Sequence, residues 1–147
     1  MTGKYRDQIL KIIGSLPEHV VSAAAIAEVI VTMSPAHVRE WAQYQHITRN
    51  LYVQPRLGPG LLKRSVVHEI AHALDDNFGV GHYFGESPHW VTLSNRLYGP
   101  EASPVETFAD AMSDYLLDPV RVRASLPTVA VFLAKVLDYL KKSASIQ

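Results

Sequence analysis

One short segment constrains this chain more than any other. Residues 68–72 read His-Glu-Ile-Ala-His within the most strongly periodic helix of the sequence. At about 100° per residue, the apolar side chains from Val66 onward fall on one side of this helix, and the histidines and acids fall on the other. A four-residue step turns the helix by about 40°, so His68 and His72 share a side. The segment predicts a metal-binding helix, with Glu69 placed beside the ligands.

Two imidazoles do not complete a catalytic zinc site, because such sites use three protein ligands and keep a fourth position for water. The chain has no cysteine, so the third ligand must be His, Asp or Glu. A third histidine farther along the same helix is excluded, because Phe78 occupies its position. Downstream, Glu106 offers a carboxylate on a second predicted helix. Asp110 follows one turn later and could accept a hydrogen bond that fixes the tautomer of His68.

These segments together resemble a known family of gluzincin metalloproteases, the catalytic domain of anthrax lethal factor and the Pro-Pro endopeptidases. The resemblance covers roughly residues 62–118 and rests on the order of three motifs. They are the H-E-x-x-H-A-x-D-D segment at 68–76, the Tyr98-Gly99 pair, and the E-x-x-A-D segment at 106–110.

The resemblance implies a role for each matching residue. His68, His72 and Glu106 would bind one zinc ion per chain, and Glu69 would be the general base. Tyr98 would lie over the open coordination position, although it precedes Glu106 by eight residues where the family has seven. The family's typical final glutamate is here the shorter Asp110.

Two further acids, Asp75 and Asp76, match the family pattern at the end of the first helix. Acids are unfavourable at a helix C-terminus because of the helix dipole. A partner is therefore expected, either Arg64 or a ligand histidine, and Asp75 is assigned a place just outside the ligands. After this helix, Gly79, Gly81 and Gly85 mark a Gly-rich loop. Three residues in or beside it are weaker candidates. The histidines could be alternative ligands or exposed side chains, and the tyrosine is a rival to Tyr98: His82, His89 and Tyr83.

The pattern predicts one domain over 1–147 with an α+β, zincin-like fold, mostly helical with a small mixed sheet beside the H-E-x-x-H helix. Residues 20–33 are ambiguous, since 23–27 favour a helix and 29–32 a strand. A strand or hairpin is predicted over 47–57, with 50–55 as the candidate edge for a bound peptide. Helices are predicted over 5–14, 35–43, 62–77, 89–97, 104–117 and 127–142.

Charge and hydropathy limit the partners. Fourteen basic and fourteen acidic residues balance, which argues against a nucleic-acid binder that works through a general basic field. Residues 69–118 nevertheless hold nine acids and only Arg96, a segment suited to a divalent cation. No apolar run is long enough to predict a membrane span, and the charged residues at the start of the sequence do not predict a signal peptide. We expect a cytoplasmic location by default, or secretion of a mature or excised form; the oligomeric state stays open.

Two functions of different class follow from the sequence. The first is a zinc endopeptidase acting on an extended peptide or protein. The second is a non-catalytic zincin-like domain that binds metal or another protein, as a regulator or a toxin- or phage-associated module. The presence of Glu69 favours the first, because a purely structural zinc site has no use for that acid.

Overall fold

The computed structural model describes residues 3–18, 20–21, 30–33, 42–45, 50–53, 59–78 and 84–146. Helices account for most of this part of the chain. They are α1 (Gly3–Gly14), α2 (Pro59–Phe78), α3 (Pro88–Tyr98), α4 (Pro104–Leu117), α5 (Pro119–Ser125) and α6 (Pro127–Ile146). A 3-10 turn, Phe84–Glu86, lies between α2 and α3. Within the described ranges, no helix is long and apolar enough to cross a membrane.

Three four-residue strands form a small mixed sheet. They are β1 (Ile30–Met33), β2 (Ala42–Gln45) and β3 (Asn50–Val53). β3 lies in the middle, parallel to β1 and antiparallel to β2, so that Tyr52 is opposite Thr32 on one side and Gln43 on the other. The prediction of 50–55 as a sheet edge is therefore wrong, because both sides of β3 are paired. Residues 54–55 lie outside the described residues.

The fold class needs a larger correction: the described part of the chain is predominantly helical, and the predicted α+β class is wrong. Within the described ranges, helices of 7 to 20 residues contrast with strands of only four residues each. Side chains alternate along a strand, so a four-residue strand can turn only two of them toward a core. Three such strands are too short to supply one layer of an α+β domain, although β2 and β3 do contact α2.

The helix predictions have mixed outcomes. Those for 5–14, 62–77, 89–97, 104–117 and 127–142 are confirmed, with α2 beginning earlier, at Pro59. The prediction of a helix over 35–43 is wrong at its C-terminal end, because Ala42 and Gln43 belong to β2. Residues 35–41 lie outside the described residues. In the ambiguous stretch, residues 30–32 are strand. Asp118 and Pro119 follow the last residue of α4 and also begin α5, since the Asp118 carboxylate accepts a hydrogen bond from the Arg121 N–H.

The start of α4 is fixed by its own sequence. Ser103 has extended backbone angles and its hydroxyl accepts a hydrogen bond from the N–H of Glu106, while Pro104 takes the first helical position. The indole N–H of Trp90 on α3 donates to the Pro104 carbonyl over 2.7 Å. These contacts fix the residue at which α4 begins and therefore place Glu106 in its first turn.

The core joins α2 to α4, with α3 and α6 around them. The predicted separation of faces on α2 is confirmed, because Val66, Val67, Ile70, Ala71 and Leu74 are all buried in the core cluster. The same core cluster contains three aromatic rings, which pack edge to face or tilted against one another. They belong to Trp90, Phe108 and Phe132. The two helices that carry the candidate ligands are thus held together by apolar packing.

Candidate metal centre

The two histidines of α2 lie side by side, as one turn of helix requires. The Nε2 atoms of His68 and His72 are 3.1 Å apart. Their side chains are about one-fifth or less exposed, at 20% and 15%. Both ring nitrogens therefore point to one position that solvent can still reach.

Glu106 of α4 completes a group of three donors. Its Oε2 lies 3.3 Å from His68 Nε2, and its Oε1 lies 3.1 Å from His72 Nε2. The structure thus brings the predicted third residue to both imidazoles, although it comes from a different helix 34 positions after His72 in the sequence.

Glu69 lies near the same point but farther from the imidazoles. Its Oε1 is 3.9 Å from His68 Nε2, and the residue is only 7% exposed. The donor atoms of His68, Glu69 and His72 lie within 4.8 Å of one another, so this group could hold a metal ion. By distance, Glu106 is the better placed carboxylate for direct ligation, which leaves Glu69 as a buried neighbour.

Asp110 occupies the position that the sequence predicted. Its Oδ1 lies 2.9 Å from Nδ1 of His68, on the opposite side of the ring from Glu106. A carboxylate at Nδ1 holds a proton on that nitrogen, so Nε2 is the atom that loses its proton when a metal ion binds. Asp110 therefore fixes both the tautomer and the orientation of His68.

The electrostatics of the site favour a positive charge between the donors. Burial alone would lower the pKa of His68, but hydrogen bonds to Asp110 and Glu106 and the charge of Glu69 outweigh it and raise the pKa to about 10. The hydrogen bonds from His68 and His72 hold the pKa of Glu106 well below its ordinary value. A proton or a metal ion at this point is stabilised by the surrounding carboxylates.

Asp75 is almost fully buried, and its partners differ from those expected. The sequence suggested Arg64 or a ligand histidine; the structure gives it the backbone N–H groups of Phe84 and Gly85, in the 3-10 turn. Burial raises the pKa of Asp75 to about 6, while these two N–H groups and the charge of His72 act in the opposite direction. Asp75 is therefore an anchor for the turn beside the site.

Tyr98 lies at the C-terminal end of α3 and is 42% exposed. Gly99 follows with a φ of 89°, a conformation that glycine adopts without strain, and its N–H ends the helix on the carbonyl of Asn95. Burial and the charges of Asp114 and Asp110 raise the pKa of Tyr98. The phenol therefore stays protonated as a hydrogen-bond donor, on the side of α4 that carries Asp110.

The weaker candidates are separate from the donor group or outside the described residues. His89 is exposed, and its ring packs edge to face against Phe132 at 5.4 Å. His82 and Tyr83 lie outside the described residues. Asp76 is partly buried on α2.

Sequence reasoning missed the importance of Gly85, which it treated only as a loop marker. Gly85 is buried and contacts both Asp75 and α4. The available signal was Asp75 itself. An acid at a helix C-terminus needs donors, and the nearest ones along the chain are the backbone N–H groups of the Gly-rich loop.

We find no family model, no curated protein and no solved structure that matches this chain. What the site can do must be inferred from its own donor atoms. Two imidazole nitrogens and a carboxylate converge on one solvent-accessible point, with a second carboxylate at 3.9 Å and a third behind His68.

Proposed function

We propose that this protein is a zinc-dependent endopeptidase that hydrolyses an extended peptide or protein segment. One observation carries the proposal: the Nε2 atoms of His68 and His72 are 3.1 Å apart, and each lies 3.1–3.3 Å from one of the two carboxylate oxygens of Glu106. Ligands at 2.0–2.2 Å from a tetrahedral zinc ion are about 3.3–3.6 Å from each other. The three side chains are therefore close enough together to occupy three corners of a zinc tetrahedron after a small outward adjustment.

The chemistry of the donors supports the same ion. Two neutral imidazoles and one carboxylate form the ligand set of many catalytic zinc sites, which keep the fourth position for water or substrate. A structural zinc site would instead have four protein ligands. The bond from Asp110 to His68 is the outer contact that such sites use to orient a ligand and to increase its basicity.

When bound, zinc polarises the scissile carbonyl and makes water acidic enough to lose a proton near neutral pH. The proton that the water loses is transferred by a side chain of this protein. The Glu69 carboxylate takes it from the attacking water and delivers it to the nitrogen of the departing amine. The burial of Glu69 at a site of this kind supports that role. The Tyr98 phenol donates a hydrogen bond to the carbonyl oxygen as negative charge develops there.

The substrate is proposed to approach from the side of α4. The Glu106 and Asp110 side chains are 59% and 69% exposed, so the donor group opens to solvent on that side. An open site suits a polypeptide better than a small molecule that must be enclosed. The resemblance to the Pro-Pro endopeptidases adds proline-containing peptides as the first substrates to test.

The decisive experiment compares Glu69→Gln with a matched control, Glu101→Gln, which removes an exposed carboxylate in the turn before α4. The wild type and the control should each contain about one zinc per chain and cleave an unstructured peptide library, read by mass spectrometry. Glu69→Gln should keep its zinc and lose about 10²–10⁴-fold in cleavage rate, the usual contribution of a general acid–base group. Full zinc occupancy without cleavage of any peptide would instead favour the non-catalytic metal-binding domain.

A further inference from the structure

The spacing of the three proposed ligands depends on how far apart two helices lie, and the ligands themselves do not fix that distance. His68 and His72 belong to α2 and Glu106 belongs to α4, so the spacing of the donors depends on the separation of two helices. An error of about 0.5 Å in such a separation is enough to impair a metal site. Some contact close to the ligands must therefore fix it.

The 3-10 turn Phe84–Glu86 makes a contact of this kind on the α2 side. Asp75 follows His72 by three residues, on the same side of α2, and its carboxylate accepts hydrogen bonds from the backbone of the turn. The Gly85 N–H lies 3.4 Å and 3.3 Å from its two oxygens. Asp75 is 1% exposed, so these bonds do not compete with solvent.

The same turn touches α4 at the residue before Glu106. A β-carbon placed on Gly85 would lie 2.8 Å from Cα of Val105 and 3.2 Å from Cβ of Phe108. Carbon atoms pack at about 3.5–4.0 Å, so only glycine permits this approach. The obstacle on α4 is backbone, which cannot rotate away as a side chain could. The turn also stacks on Phe108 through the ring of Phe84.

We propose that Asp75 and Gly85 are positioning residues that set the distance between Glu106 and the two histidines. Asp75 fixes the turn to α2, and Gly85 lets the turn lie directly against Val105, which fixes α4. The inference rests on the proposed metal site and adds to it a spacer that lies outside the ligand set. Its consequence is that the metal affinity depends on the size of residue 85, which bears no donor side chain.

The test uses Co²⁺ as the probe, because its visible absorption reports the geometry of a zinc-type site and requires no substrate. Gly85→Ala should weaken Co²⁺ binding about 10–100-fold, the usual effect of disturbing the contacts around metal ligands, and should change the absorption spectrum. The matched control is Gly60→Ala. Gly60 lies in the first turn of α2, where an added β-carbon meets nothing within 4 Å. It should bind Co²⁺ within about twofold of the wild type.

Asp75→Ala provides a second variant if Gly85→Ala fails to fold. It removes both oxygens that accept hydrogen bonds from the backbone N–H groups of Phe84 and Gly85. We expect the same change in spectrum and a loss of affinity within the same range. Thermal unfolding of the metal-free variants, measured by circular dichroism, separates lost stability from lost geometry.

The outcomes distinguish the two proposals. Altered Co²⁺ spectra with weakened binding in either folded variant support the spacer. Lowered unfolding temperatures with wild-type spectra and affinities overturn it and leave the metal site intact. Failure of the wild type itself to bind Co²⁺ or Zn²⁺ overturns the metal site and, with it, the spacer.

Discussion

The two helices that form the candidate site supply acids that differ in their exposure to solvent. On α2 the Glu69 side chain is 10% exposed, whereas on α4 the Glu106 and Asp110 side chains are 59% and 69% exposed. Burial fixes the acid of α2 whether or not a ligand is present. The acids of α4 are fixed mainly by their bonds to His68 and His72. The site thus has one preformed side and one side that depends on what the donors bind.

This difference has an energetic consequence. A buried carboxylate is costly to place and to leave unpaired, so changes on α2 should alter folding stability. An exposed carboxylate contributes little to stability. Changes on α4 should therefore alter metal binding and leave the fold almost unaffected.

The largest effect is expected from Glu106→Ala. Structural zinc sites with four ligands gain roughly 10–16 kcal/mol from the ion, so the loss of one ligand should cost about 10²–10³-fold in zinc affinity. Titration against a chromophoric chelator measures it. The metal-free variant should lose no more than about 1 kcal/mol of unfolding free energy, because solvent screens the bonds between the exposed Glu106 side chain and the two histidines.

Glu101→Ala is the control for this experiment, since it removes an exposed glutamate five residues earlier. It should change neither zinc affinity nor stability. If Glu106→Ala bound zinc as tightly as the control, Glu106 would not be a ligand, and the nearer position of its carboxylate relative to Glu69 would have no functional meaning.

The second effect concerns a buried acid of α2 and is read as stability against pH. The pKa of Asp75 is raised from 3.8 to about 6 in the folded protein, so folding favours its protonated form. This contribution is fully present below pH 3.8 and is lost as pH rises through 6. The metal-free protein should lose about 3 kcal/mol of unfolding free energy over that range from this group alone.

Urea denaturation at several pH values between 4 and 7, with a chelator present, measures this loss. Asp75→Asn cannot titrate, so the difference between its stability curve and that of the wild type isolates the Asp75 contribution. A wild-type curve parallel to that of Asp75→Asn throughout this range would show that Asp75 is not desolvated in the folded protein.

The sequence predicted the preformed side of the site well. The helix at 62–77 and its two faces follow from local periodicity, and burial of Val66 and Ile70 opposite the histidines is the direct result. The start of α4 is equally local, because Ser103 followed by Pro104 is a helix-start signal in the sequence itself. Contact between Asp110 and His68 joins residues of different helices, yet the one-turn spacing from Glu106 to Asp110 already implied it.

Contacts set by neighbouring segments were not predictable in the same way. The sequence pattern suggested a strand at β3 but contained nothing about its neighbours, so an inner strand was taken for an edge. Likewise, the sequence pattern did not show that helices would hold far more of the described residues than strands, because the lengths of the strands depend on their pairing with distant segments. The close approach of Gly85 to Val105 depends on the separation of α2 and α4, which no local pattern encodes.

The smallest effect distinguishes orientation from ligation on the exposed side. Asp110→Ala removes the acceptor at Nδ1 of His68 and should weaken zinc binding about 10–100-fold, less than the loss of Glu106.

Asp114→Ala, one turn later, removes an acid that pairs with Arg121 at 3.7 Å and serves as the control. It should bind zinc within about twofold of the wild type. Each substitution breaks one ion pair of an exposed acid, so neither should lower the unfolding free energy by more than about 1 kcal/mol. An equal loss of zinc affinity in both variants would mean that Asp110 acts through the general negative charge of α4. A loss confined to Asp110→Ala would show that its bond to His68 is what matters.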